Sequence, residues 1–242
     1  YGKMYISGYC IEITSDGNIT SNKSTSDECD THSSQTTTFA NGEVVYYNPE
    51  TNAKCSSSEA NANTSLNSGC MKWYAFLDDG SDTIKLLLSH NTTASSAWSE
   101  SSGQKPTIAN SKLASDVSSW NSEVKSTERL VKAQEIANIT GNSSWHSEGN
   151  AFYFHTNSST IYTGSKSTNK YAWLFDNTMG CLEFGCNEEK DNVSGYWTDT
   201  VYPGYSGNSW FVGNSGEMNI QLSDEGYYGI RPVITINRNV IK

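Results

Sequence analysis

Basic residues are scarce in this chain. Sixteen Lys and Arg face 26 Asp and Glu, giving a formal net charge of −10. No cluster of cations is available to displace counterions from phosphates, which excludes binding to nucleic acid or to an anionic membrane surface. Long apolar runs are missing as well. Nothing approaches the roughly 18 residues that span a bilayer, and no charged-then-apolar leader opens the chain, so Tyr1 reads as a processed or truncated start. The sequence also lacks G-x-S-x-G, H-E-x-x-H and a Gly-rich phosphate loop. Asp176, Asp199, Asp224 and Glu225 fall in late loops where a carboxylate pair for hydrolysis is conceivable, but acidic loop residues of this kind read as solvated. The expectation is a protein that is not an enzyme.

What is present is a polar, neutral, aromatic chain of 242 residues with seven Trp and fourteen Tyr. That aromatic content argues against disorder, and the length is enough to bury a core. Six cysteines stand at Cys10, Cys29, Cys55, Cys70, Cys181 and Cys186. They lie as near neighbours in sequence, and of the fifteen possible connectivities the local one is favoured. They lack the tight spacing of a zinc site, and His32, His90, His146 and His155 do not cluster with them. Disulfides imply an oxidising, extracellular or cell-surface setting. The eight Asn-x-Ser/Thr triplets, beginning at Asn18, Asn22 and Asn63, are expected by chance in so Ser/Thr/Asn-rich a chain.

Residues 1–70 alternate short apolar stretches with very polar ones. MYISGYCIEI and GEVVYYN have strand composition, STSDECDTHSSQTTT is loop-like, and a Cys55–Cys70 bridge would staple a stretch with no core of its own. From Met71 the texture changes. KWYAFL and TIKLLLSH flank DDGSD, a strand-turn-strand with Asp79-Gly80 at the bend. Asp78, Asp79 and Asp82 resemble calcium ligands but lack EF-hand spacing and its distal glutamate, so a turn is the stronger reading. Ile108, Leu113, Val117 and Trp120 recur at helical spacing and predict a helix over 109–121; a second follows at 132–140, stopped by Gly141. NAFYFH, YAWLFD, SGYWTDT, SWFVG, GEMNIQL and GIRPVITI read as short strands. The order predicts an α+β fold with two helices, a small mostly antiparallel sheet and long loops. It also divides the chain into a polar, disulfide-stapled segment, 1–70, and a domain over 71–242.

Several phrases together carry a resemblance. ERLVKAQEIA resembles the Arg-Leu-x-x-x-x-Glu helix entry of formylglycine-generating-enzyme-like domains, and YYGIRPVI resembles the Gly-Phe-Arg-x-Val strand that closes them. With CMKWYAFLDDG, LLLSHNTT, SGYWTDT and NSWFV, the set looks like a family of bacterial extracytoplasmic domains with a C-type-lectin-like fold. Some members of that family follow a type IV pilin-like N-terminal helix. The resemblance covers roughly residues 71–242 and implies a C-type-lectin-like frame with its binding surface on late loops. No reactive cysteine pair stands near Arg231, and no Glu-Pro-Asn, Gln-Pro-Asp or Trp-Asn-Asp triplet is present, so the likeness lends a fold and no chemistry.

Between Trp197 and Tyr228, Tyr and Trp alternate with Asn, Ser and Gly, the composition of a paratope-like surface. The ligand-binding candidates are Asp199, Tyr202, Tyr205, Asn208, Asn214, Asn219, Tyr227 and Tyr228, with Trp197 and Trp210 assigned to the core. The function this suggests is a secreted or surface-displayed adhesive domain for a protein or glycan on another cell. The alternative is the structural head of a pilin-like filament subunit, with sibling subunits as partners. Arg231, inside an otherwise apolar closing strand, is expected to be buried and paired with a carboxylate. Glu135 is the first nominee for that partner, with Asp176 and Asp199 as alternatives.

Overall fold

Alternating apolar residues and tight turns divide the chain into two units, Tyr1–Thr37 and Thr38–Lys242. The computed structural model describes residues 2–13, 18–23, 38–154, 170–175, 195–205, 207–214 and 216–241. The smaller unit is a three-stranded antiparallel sheet of β1 (Gly2–Ile6), β2 (Tyr9–Ile13) and β3 (Ile19–Lys23). MYISGYCIEI is therefore a hairpin. Ser7 and Gly8 take φ of 52° and 85°, the paired left-handed conformation that matches strand twist in a two-residue turn.

The expected division at Cys70 moves to the boundary between 37 and 38. The reason is strand pairing: β4 (Val44–Asn48), with β5 (Ala53–Lys54) on its flank, pairs with β6 (Met71–Phe76) from Val44↔Tyr74 to Tyr47↔Met71. The Cys55–Cys70 disulfide forms as expected. Its loop carries a short helix, α1 (Ser57–Ala62), closed at its start by a reciprocal Ser56–Glu59 capping box. Cys10 is also disulfide-bonded. Cys29, Cys181, Cys186, His32, His155 and Asp176 lie outside the described residues.

In the larger unit, β6 turns through Asp79-Gly80 into β7 (Thr83–Leu88), the hairpin read from the sequence. The first six-stranded sheet has the order β5-β4-β6-β7-β15-β9, where β9 is Arg129–Leu130 and β15 is Pro232–Asn237. The second joins β8 (Thr93–Ser96), β10 (Phe152–Tyr153), β11 (Gly195–Val201), β12 (Asn208–Gly213), β13 (Glu217–Leu222) and β14 (Tyr228–Ile230). Its order is β10-β13-β12-β11-β14-β8, with β11 and β14 parallel at Tyr196↔Gly229. The Asn91 side chain packs against Gly229, where a Cβ would stand 2.1 Å from its amide nitrogen.

Helical periodicity predicts one helix over 109–121; the chain instead forms α2 (Thr107–Asp116), then α3 (Ser122–Lys125). The second predicted helix is α4 (Ala133–Ile139). Ala172–Leu174, expected as a strand, is a 3-10 turn. The fold is thus α+β, dominated by sheet.

Two apolar cores flank the β6–β7 sheet. Trp73, Leu86 and Ile234 enter one, with Trp120, Trp98, Trp197 and Tyr228. Tyr74, Leu87 and Val233 enter the other, with Ile136, Trp173, Tyr196 and Trp210. Both faces of these strands are covered, which is why they read as continuous apolar runs.

Candidate recognition surface

Arg231 is the single residue between β14 and β15, where the chain passes from the second sheet to the first. As expected it is fully buried. Among the described residues its partners are carbonyls and no carboxylate; Asp176, one of the nominees, lies outside them. Its Nε donates to the Leu88 carbonyl at 2.6 Å, Nη1 to Leu174 O at 2.7 Å and Nη2 to Trp173 O at 2.8 Å, and the guanidinium lies 5.0 Å from the Tyr196 ring centroid. Peptide dipoles and a ring face stabilise the charge. Glu135 is engaged elsewhere: Arg129 donates to it bidentately at 2.7 and 2.8 Å, Lys85 Nζ stands 3.5 Å away and Lys132 N donates at 3.1 Å. The Arg and Glu of Arg-Leu-x-x-x-x-Glu therefore pair with each other and fix the entry to α4. Burial and those partners oppose one another, and the net effect lowers the Glu135 pKa.

Asp78 is drawn into a second buried pair, accepting from both Nη atoms of Arg238 and from the amides of Phe39 and Gly80. The Arg238 hydrogen bonds hold its pKa down at about 2. Asp79 accepts from Ser81 N and closes the turn. Two of the three calcium candidates, Asp78 and Asp79, thus have structural partners, Asp82 contributes its backbone carbonyl to Arg238 N, and among the described residues no three His, Cys, Asp or Glu gather as a metal-binding group.

The late loops converge. Ser223 N donates to Gly207 O, while Ser223 O accepts from Trp98 N and Ser99 N, and the Ser209 and Ser223 hydroxyls meet at 2.8 Å. This ties the β8–α2 loop, the β11–β12 loop and the β13–β14 loop into one end of the second sheet. Indole donors brace it from beneath, Trp197 Nε1 to Ser96 O and Trp98 Nε1 to Thr198 O, each at 2.7 Å. In the other core Tyr202 packs edge-on against Trp210 at 5.7 Å and stacks on Tyr205 at 6.1 Å. Gly204 makes room for the Tyr202 ring, since a Cβ would stand 2.6 Å from it. Tyr205 is 68% exposed and Tyr227 48%.

Not every candidate joins this end. Tyr228 is core, stacked on Phe211 at 3.9 Å and packed on Trp197, because strand alternation turns it inward where Tyr227 points out. Asn208 opens β12 and belongs with Tyr205, whose carbonyl accepts its amide. Asn214 follows the other end of β12, about 20 Å away at strand rise. Asn219 lies mid-strand on β13, opposite Phe211. Asp199 sits in a β11 bulge between Trp197 and Val201, donating its amide to Val131 O and accepting from Thr200 Oγ1. Burial raises its pKa, and the nearby charges are Lys132, Arg129 and Glu135. Trp197 and Trp210 are fully buried, as expected. Sequence reasoning missed the exposed Leu222 and Tyr153 and the clamp role of Ser223; alternation puts Leu222 on the face of the buried Met218, so nothing in the pattern signals its exposure.

Two cavities lie away from this surface. One, about 380 Å³, is lined by Asn52, Glu123, Asn237 and Asn239 over Val124, Ile236 and Val240. The other, about 330 Å³, has Ser89 and His90 among its lining residues. His90 donates from Nε2 to Leu66 O, so its Nδ1 accepts from Ser89 Oγ at 3.3 Å. Burial pushes the imidazole down to about 4, and both side chains are sealed from solvent.

No helix among the described residues is long and apolar enough to cross a membrane. Compared with protein-family models, with curated proteins and with solved structures, the chain matches none.

Proposed function

We propose that the larger unit is an extracellular or cell-surface recognition domain on a C-type-lectin-like frame, adhesive in role, engaging a protein or glycan through its late loops. The observation that carries this reading is the clamped loop end itself. Ser223 cross-links three loops, and those loops carry the exposed Tyr205 and Tyr227 and the half-buried Tyr202, where most of the large aromatics among the described residues are buried. Rigid aromatic side chains on a preorganised frame lose little conformational freedom on binding, and that favours affinity. The Cys55–Cys70 disulfide fits an oxidising compartment.

The test is to probe glycan and protein arrays with the whole chain and with Tyr202→Ala, Tyr205→Ala and Tyr227→Ala. A specific ligand retained by the wild type and lost by at least one of these variants is expected. Array ligands that ignore all three substitutions, or no specific ligand at all, would sink the reading.

A further inference from the structure

Among the described residues the second sheet is half-open along β13. On that side β10 covers only Tyr153↔Glu217 and Phe152↔Met218, with Phe154 N reaching Gly216 O. Among the described residues no strand continues the pairing past Asn219–Leu222. Alternation along the strand sends the amides of Ile220 and Leu222 outward, away from β12. Each is held by the side chain of the residue before it: Ile220 N donates to Asn219 Oδ1 at 2.9 Å and Leu222 N to Gln221 Oε1 at 3.1 Å.

These are local substitutes for a neighbouring strand. They satisfy the donors, yet a peptide carbonyl arriving in line with β10 replaces each one without leaving a donor bare. Proline and lysine, common protections of an edge, are absent from Glu217–Leu222. Charge narrows the occupant. Between 195 and 230 the chain carries Asp199, Glu217, Asp224 and Glu225 and no Lys or Arg. A second copy, at −10, would bring like charge to the seam.

We propose that Asn219–Leu222 accepts an extended, Lys- or Arg-bearing segment of a partner protein as an added antiparallel strand continuing the line of β10. The strand's far end lies at Leu222, opposite Asn208, beside the Tyr202–Tyr205 stack. The inference rests on the recognition reading and narrows it to a peptide added by main-chain hydrogen bonding, with the tyrosines gripping its side chains.

The probe is a fluorescein-labelled peptide of alternating Thr and Val flanked by lysines, followed by anisotropy against the whole chain. Controls are a glutamate-flanked peptide and one N-methylated at alternate amides. Binding of the lysine peptide is expected to weaken with salt, and to fall about tenfold on N-methylation, the weight of one or two hydrogen bonds. Leu222→Pro removes an outward donor while sparing the β12 pairing, and is expected to weaken binding to a similar degree. Asn219→Ala with Gln221→Ala removes the competing side-chain carbonyls and is expected to tighten it, a change of opposite sign that simple unfolding would not give.

Failure of the lysine peptide to bind overturns the proposal. So does equal binding of the methylated peptide, or an edge-dependent dimer in sedimentation. An array ligand lost in Tyr205→Ala but indifferent to Leu222→Pro overturns the edge and leaves the recognition surface standing.

Discussion

Asp78 and His90 show how a buried partner and burial itself set the acid response of single side chains. The Asp78 carboxylate is held at about 2, below its ordinary 3.8, chiefly by Arg238. Its contribution is complete above pH 4 and is lost as pH falls from there toward 2. Asp78→Asn leaves Arg238 buried without its counter-charge, and urea denaturation at pH 7 is expected to show a loss of about 3 kcal/mol. His90 has its folded value depressed from 6.5 to about 4, first by burial. The unfolded chain binds the proton more readily, so this contribution is complete above pH 6.5 and is lost as pH falls from 6.5 to 4. The integrated loss is about 3 kcal/mol. In His90→Gln that portion of the pH–stability slope disappears, which denaturant titrations at pH 7, 5.5 and 4.5 can read directly.

Elements differ in how legible they were. The Met71–Leu88 hairpin could be read because turn chemistry and apolar strands agreed, and the close Cys55/Cys70 spacing suggested the disulfide that forms. Replacing both cysteines by serine is expected to cost about 3 kcal/mol, measured by thermal or urea unfolding, the chain-entropy value for a loop of about 15 residues. Arg231 was legible as buried, but its partners were not, because Leu88, Trp173 and Leu174 serve it through carbonyls that carry no residue identity. Composition alone groups Tyr228 with the surface tyrosines, and only the two-residue period of the strand separates it from Tyr227. YAWLFD had strand composition, but its carbonyls serve the guanidinium and the Tyr196 hydroxyl, and the chain turns there instead. The loop clamp joins positions near 98, 207 and 223, contacts that local patterning does not encode.

At the scale of the molecule, both apolar cores are built from residues beyond the 37/38 boundary. A chain of residues 38–242 is therefore expected to fold cooperatively by itself, with the near-ultraviolet dichroism of packed tryptophans and a melting temperature close to that of the full chain. A truncation that melts far lower would show that the smaller sheet is required. Within this unit, the Asp78 carboxylate receives the amide of Phe39, near where the chain enters, and the guanidinium of Arg238, near where it leaves. Entry and exit are therefore neighbours, like the two stems of a loop. A circular permutant joined there and opened between the exposed Glu100 and Ser101 is expected to keep the fold. The same adjacency sets how the unit bears mechanical load: tension applied through its two stems pulls first on one buried ion pair, before the sheets that carry the tyrosine-lined end.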